Sequence, residues 1–306
     1  MNKPTLSQLL TRVTLPTALV VEVFFATAAV QATPVARADS PQAVVRVFFD
    51  ALQSTDPKSV NPEFRRRYFT NSFNQYEFQE KIVGAFANTT LTFGEPITID
   101  SRNVIVKVNV SEDDQREDIV VFLKQEPTWK VDAIRSLVRP GFVYQMRELL
   151  NAKSDLSPEE QWQKQDINRL FATDEELIEK YRQTQAQFTE IGKLFSSQNQ
   201  LKIICKLGFN QYRINENVVQ TSEIEGVLHR NGIDRNTFDR YIAALEQLDV
   251  SCIQKDEDNI LFVKGGITDD SLGYMYAPIG KVPPISKSEY FYIEKIYEQW
   301  YIYRTT

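Results

Sequence analysis

One histidine, His229, and two cysteines, Cys205 and Cys252, are all that 306 residues offer as imidazole or thiol. That leaves almost nothing for a zinc site, a haem or Cys/His catalysis, and no cofactor is expected. Basic residues are also short: 35 Lys and Arg stand against 41 Asp and Glu, a formal net charge of −6. A generally basic nucleic-acid binder is thereby disfavoured. No uncharged apolar run approaches the roughly 20 residues that a bilayer span needs; the longest, in the N-terminal region, covers Val23 to Val30. Gly265-Gly266, with Asp269-Asp270-Ser271 and Gly273, lacks the Lys-Ser/Thr end of a phosphate loop and the acid spacing of a calcium loop. Ser271 has no flanking glycines to make a nucleophile elbow. His229 reads as a partner for the last carbonyls of a helix. What is plentiful is apolar material: 42 % hydrophobic residues, with nineteen Phe and thirteen Tyr. Such a chain is neither disordered nor fibrous, and its length fits two average domains.

Residues 1–38 stand apart. Lys3, Arg12 and Arg37 face a single acid, Glu22, and Ala, Val and Thr dominate. A weakly basic start leads into an apolar stretch from Val13 to Val30, then into small residues ending at Ala32 or at Ala36-Arg37-Ala38. This is the order of a secretory signal, although Glu22 and Pro16 interrupt it. A buried helix is the alternative, without a cap or a polar face to support it. The expectation is an exported protein, periplasmic or secreted, with no stable membrane span after signal removal. No cysteine follows the apolar run, which excludes a lipid anchor there. In an oxidising compartment Cys205 and Cys252 can pair, tying a helix to a later strand. Two buried thiols acting as small hydrophobes are the other reading.

Residues 39–137 read as a small α+β domain. Ser40-Pro41 gives a capped helix start, and Val44, Val45, Phe48, Phe49 and Leu52 form one apolar face. Helices are also expected over Pro62–Phe69 and Tyr76–Ala87. The period then switches to two. Ile97 and Ile99, then Val104 to Val110, Ile119 to Leu123, and Trp129 with Val131 alternate with polar residues between short polar turns. That predicts an antiparallel meander covered by helices. Ser40-Pro41-Gln42-Ala43-Val44-Val45-Arg46-Val47-Phe48-Phe49-Asp50-Ala51-Leu52, then Asp56 and much later Thr128-Trp129-Lys130-Val131-Asp132-Ala133-Ile134, resembles the nuclear-transport-factor-two-like superfamily, in particular its small secreted bacterial lumazine-binding-like branch. The resemblance covers about a third of the chain. It implies a curved sheet wrapped around a helix, with a cone-shaped pocket. Some members are isomerases or dehydratases using a pocket Asp with Tyr or His, but no residue here matches those motifs. Asp132 is expected to be a surface strand carboxylate, alternating with buried Trp129 and Val131. Arg65-Arg66-Arg67 is either an anion or phospholipid contact or, the better reading, a solvated helix face. Asn88-Thr89-Thr90 and Asn109-Val110-Ser111 match the glycosylation triplet by chance.

Residues 138–306 read as a helical region followed by antiparallel sheet, of no recognised family. Arg139-Pro140-Gly141 marks the boundary. Ser157-Pro158-Glu159-Glu160 starts a helix, and Thr173-Asp174-Glu175-Glu176 is a capping box opening another, with an apolar face expected to Leu207 and a bend at Gly192 or Ser196-Ser197. Helices over 222–229 and 235–248, then a hairpin around Lys255–Asp258, outline a winged helix over 221–263. Asp239, Glu246 and Asp249 against Arg235 and Arg240 argue against DNA binding, as does a C-terminal half with 20 basic and 25 acidic residues. Tyr290, Tyr292, Trp300, Tyr301 and Tyr303 lie on two paired strands. They are either an aromatic platform for a sugar or peptide, or cross-strand packing.

These readings point to an exported, non-enzymatic binding or protein-interaction protein of the bacterial envelope. Its partner would be a protein or a small-molecule ligand, with no nucleic acid. The alternative is a small-molecule isomerase or hydrolase using a carboxylate in the N-terminal cone. An enzyme calls for an Asp, Glu or Tyr of shifted pKa in an open cone, and a binding module for a filled cone with exposed aromatics.

Overall fold

Ser40 opens the first helix by accepting a hydrogen bond from the Ala43 N–H at 3.2 Å, and Pro41 fills the first helical position. Helix α1 (Pro41–Gln53) buries Val44, Val45, Phe48, Phe49 and Leu52 completely. The computed structural model describes residues 39–306 except 80, 81, 113, 114, 138, 268 and 269, so the signal read in residues 1–38 lies outside the described residues. The chain divides into two compact units between Ser136 and Leu137. Each combines helices with antiparallel sheet, so the class is α+β.

In the first unit, Asn61 caps α2 (Pro62–Tyr68) through the N–H groups of Glu63 and Phe64. Five strands follow: β1 (Thr90–Phe93), β2 (Ile97–Thr98), β3 (Asn103–Glu112), β4 (Gln115–Glu126) and β5 (Thr128–Ser136). Their order is β1-β3-β4-β5, with β2 also paired to β3. The helix expected over Tyr76–Ala87 does not form. A single π-helical turn, Phe73–Glu77, is followed by non-helical backbone at 78 and 79 and by turns over 83–88. Tertiary packing overrides local periodicity there. Phe69 meets Phe73 and Phe78 at 4.9 Å between ring centroids, and Phe48 meets Phe69 at 5.7 Å. Phe49, Phe86 and Phe93 continue this cluster, so aromatic rings fill the space between α1 and the sheet.

The second unit begins with α3 (Gly141–Ala152), α4 (Pro158–Arg169) and α5 (Asp174–Ser197). Both expected capping boxes are present: Ser157 with Glu160, and Thr173 with Glu176. Helix α5 stops at Ser197 rather than running to Leu207, and its irregularity lies at Thr184, whose hydroxyl donates to the Lys180 carbonyl at 2.6 Å. Gly192 is instead a point of close approach. A Cβ there would lie 3.1 Å from Tyr276 and 3.5 Å from Trp300. Beyond α5 come β6 (Ile203–Gly208), β7 (Gln211–Ile214), β8 (Asn217–Gln220), α6 (Ile224–Arg230), α7 (Arg235–Leu248), β9 (Cys252–Asp256), β10 (Asn259–Ile267), β11 (Asp270–Tyr276), β12 (Tyr290–Tyr297) and β13 (Trp300–Thr305). They build one eight-stranded antiparallel sheet in the order β12-β13-β11-β10-β9-β6-β7-β8. The β9–β10 hairpin therefore sits inside a sheet, paired on both sides, and does not project as a wing. Phe188 of α5 packs on Phe262, Tyr274 and Trp300 on one side of the sheet. Leu261, Met275, Tyr290, Ile293 and Tyr303 form a second cluster with Val282 and Ile285.

Cys205 and Cys252 form a disulfide. They are direct partners on the adjacent strands β6 and β9, with Cα atoms 4.1 Å apart. The bond thus joins strand to strand, not helix to strand, because the chain has already left α5 when it reaches Ile203.

Candidate functional site

The five aromatics of the last two strands do not form a platform. Tyr290, Tyr292, Trp300 and Tyr303 are buried, and Tyr301 is half-buried. Trp300 stacks on Tyr276 at 4.9 Å and contacts Phe188 and Tyr181 of α5. Tyr290 and Tyr303 pack edge to face at 5.8 Å in the other cluster, where Tyr301 joins them. Tyr292 lies under the Arg304 guanidinium. Strand alternation sends neighbouring side chains to opposite faces, which is why one aromatic-rich sequence cannot present a single surface. Burial pushes the Tyr290, Tyr292 and Tyr303 phenols well above their ordinary value. The Tyr290 and Tyr292 hydroxyls donate to Asp256 and Glu294. These groups act as fixed donors, not as bases.

In the first unit Asp132 is buried, 7 % exposed, contrary to the surface position expected for it. The cause is a β-bulge. Phe122 pairs with Ala133 and Leu123 with Val131, leaving Asp132 as the extra residue, so alternation fails there. Its Oδ1 accepts from the Thr70 hydroxyl at 2.8 Å and from the Ser72 hydroxyl at 3.2 Å. Nearby, Arg66 and Arg67 are exposed, while Arg65 donates to the Val60 carbonyl and covers the Phe78 ring. This is a solvated helix face with one packed stem.

An ionic cluster that composition did not single out lies in the second unit. Asp249 ends α7 in the left-handed conformation, φ 54° and ψ 51°. Its Oδ1 accepts from Arg169 Nε and Gln165 Nε2, both at 2.9 Å, and its Oδ2 from Lys264 Nζ. Arg169 is 5 % and Lys264 8 % exposed. Arg169 Nη1 also lies 3.6 Å from Asp166. Gly265 makes the arrangement possible, because a Cβ there would lie 3.3 Å from the Arg169 backbone and 3.1 Å from Leu170. Strand β10 thus passes close under the end of α4, carrying Lys264 to the carboxylate. Burial pushes the Asp249 carboxyl up, but the hydrogen bond and charge of Lys264, with Arg169, reverse this and hold it below its ordinary value. Asp166 moves the other way, raised by burial against the pull of Arg169. A cleft of about 590 Å³ opens beside this cluster. Gln161, Lys164 and Asn168 of α4, Ala172, and Glu176 and Lys180 of α5 complete its lining.

Elsewhere, Arg235 of α7 pairs with Glu225 at 2.7 Å and Asp239 at 2.9 Å, and Arg240 pairs with Glu190. His229 is exposed at the end of α6. Among the described residues no three His, Cys, Asp or Glu side chains are placed to hold a metal ion. No described helix is long and apolar enough to cross a membrane. No family model, curated protein or solved structure matches this chain.

The signals for the cleft were present but dispersed. Lys264-Gly265-Gly266 puts two glycines in a strand, a mark of close backbone approach. Asp249 follows the last apolar residue of a helix, a cap position. Only the fold brings both to Arg169, 80 residues away from Asp249.

Proposed function

We propose that the chain is an exported, non-enzymatic binding or interaction protein of the bacterial envelope, periplasmic or secreted, whose first unit is nuclear-transport-factor-two-like. The Cys205–Cys252 disulfide carries this reading, since such bonds persist in oxidising compartments. The basic, apolar, small-residue order of residues 1–38 supports it independently. A binding role is supported in the first unit by the aromatic rings that occupy the space between α1 and the sheet, where a catalytic cone would be open. Fractionation of a bacterial host expressing the full chain tests the proposal. The expected product is periplasmic or in the medium, has a new N-terminus after Ala32 or Ala38, and reacts with maleimide only after reduction. A full-length cytoplasmic product with two free thiols would overturn it.

The second reading, an isomerase or hydrolase in the first unit, rests on Asp132. A buried bulge carboxylate held by two hydroxyls is the kind of group such chemistry uses. A turnover activity abolished by Asp132→Asn in a variant of unchanged thermal stability would establish it in place of the binding role.

A further inference from the structure

Two ammonium groups at the second unit's cleft have no partner among the described residues. Lys164 on α4 and Lys180 on α5 are half-buried, and neither ammonium makes a hydrogen bond or ion pair with a described residue. Both line the 590 Å³ cleft, together with Arg169 and Lys264. Four cations therefore converge there.

The carboxylates nearby are already engaged. Asp249 is shared by Arg169 and Lys264. Glu176 accepts the Thr173 N–H at 2.9 Å in the capping box of α5. Asp166 leans on Arg169, and burial opposes its ionisation. Even with Glu176 counted as charged, the four lining cations exceed the two lining carboxylates by two, in a unit whose acidic residues outnumber its basic ones, 25 to 20. Half-buried lysines lay their stems along the wall and keep the ammonium in water, where an anion can meet it. The remaining lining comes from side-chain amides and a single apolar residue, Ala172, which suits a polar ligand and not a lipid or an aromatic. The volume is that of a small-molecule site.

We propose that this cleft binds a small polar oxyanion ligand, a phosphate ester or a polycarboxylate, through Lys164 and Lys180, with Arg169 and Lys264 adding charge from the buried side. Asp249 then has a second task. By holding Arg169 and Lys264 in place it keeps two buried cations beside the ligand without letting the cleft collapse around them. The inference rests on reading the chain as a binding protein, and it is tested separately from export.

Isothermal titration calorimetry on the full chain decides it, with citrate, glucose 6-phosphate and, as the uncharged control, glucose. Binding of either anion and not of glucose, weakened about tenfold or more in Lys164→Gln/Lys180→Gln, is the expected result. Binding of citrate alone or of glucose 6-phosphate alone identifies the carboxylate or the phosphate source. Arg182→Gln/Lys193→Gln, farther along α5, should bind like the parent chain. Heat from neither anion, equal binding of glucose, or full affinity in the Lys164/Lys180 variant would overturn the proposal. Thermal melts of both double variants confirm that the fold is retained. Failure here leaves the export reading to the fractionation result.

Discussion

Asp249 combines an unusual backbone with an unusual electrostatic role. Its left-handed conformation is one that Asn also tolerates, so Asp249→Asn removes the charge while keeping the turn. Lys264 would then be buried without a counter-charge, and Arg169 would keep only the longer contact to Asp166. The expected destabilisation is roughly 2–4 kcal/mol, read from urea unfolding at neutral pH. Because the folded carboxyl lies below its ordinary value, its contribution is complete above the unfolded value near 3.9 and is lost as pH falls through the folded one. Stability should therefore drop below about pH 4 in the parent chain, and less steeply in Asp249→Asn. Single residues were also where sequence reasoning was weakest. Asp132 alternates correctly on paper, and only the extra residue opposite Phe122 and Leu123 turns it inward. Nothing local to Thr128–Ser136 announces that bulge, since the mismatch belongs to the strand pair.

Elements were most legible where their ends carry chemistry. Ser157 with Glu160 and Thr173 with Glu176 start helices where the sequence places them, because a cap is a contact among four consecutive residues. The Glu160 carboxylate accepts from Lys153 Nζ at 2.6 Å and from the Ser157 N–H at 2.9 Å, which holds its carboxyl down at about 2. An NMR titration of this side chain should show a midpoint near that value, and the cap's contribution to α4 should fade as pH falls from the ordinary glutamate range towards it. Periodicity failed where distant residues decide. The Tyr76–Ala87 segment has a helical apolar pattern, yet its Phe78 ring is claimed by Phe69 and Phe73 and its Phe86 ring by Phe49. The expected bend at Gly192 likewise gives way to a packing reason, the nearness of Tyr276 and Trp300. Gly192→Val should cost about 1–3 kcal/mol through overpacking, measured by thermal or urea unfolding. Gly192→Ala should cost less, since its helix preference offsets part of the clash.

At the scale of the whole molecule, the mixed class and the antiparallel strands of both units follow from period-two runs joined by short turns, and these were readable. The size of the second sheet was not. β7 and β8 are four-residue strands, too short to signal themselves, and the apolar residues of β6 read from the sequence as an extension of the preceding helix's apolar face. A strand order in which β9 meets β6 across a 47-residue separation is a property of closure, not of any segment. The disulfide sits at that junction. Opening a loop of this length should lower stability by about 4 kcal/mol on the chain-entropy estimate, so Cys205→Ala/Cys252→Ala is expected to unfold at clearly lower urea than the parent. The bond also decides what a protease can achieve. The stretch it closes contains β7, β8, α6 and α7, and every turn between them lies inside the ring. A single cut anywhere in that stretch leaves two polypeptides still joined through β6 and β9. Damage that would sever an open chain is thereby reduced to a nick, visible as two fragments only after a reductant is added.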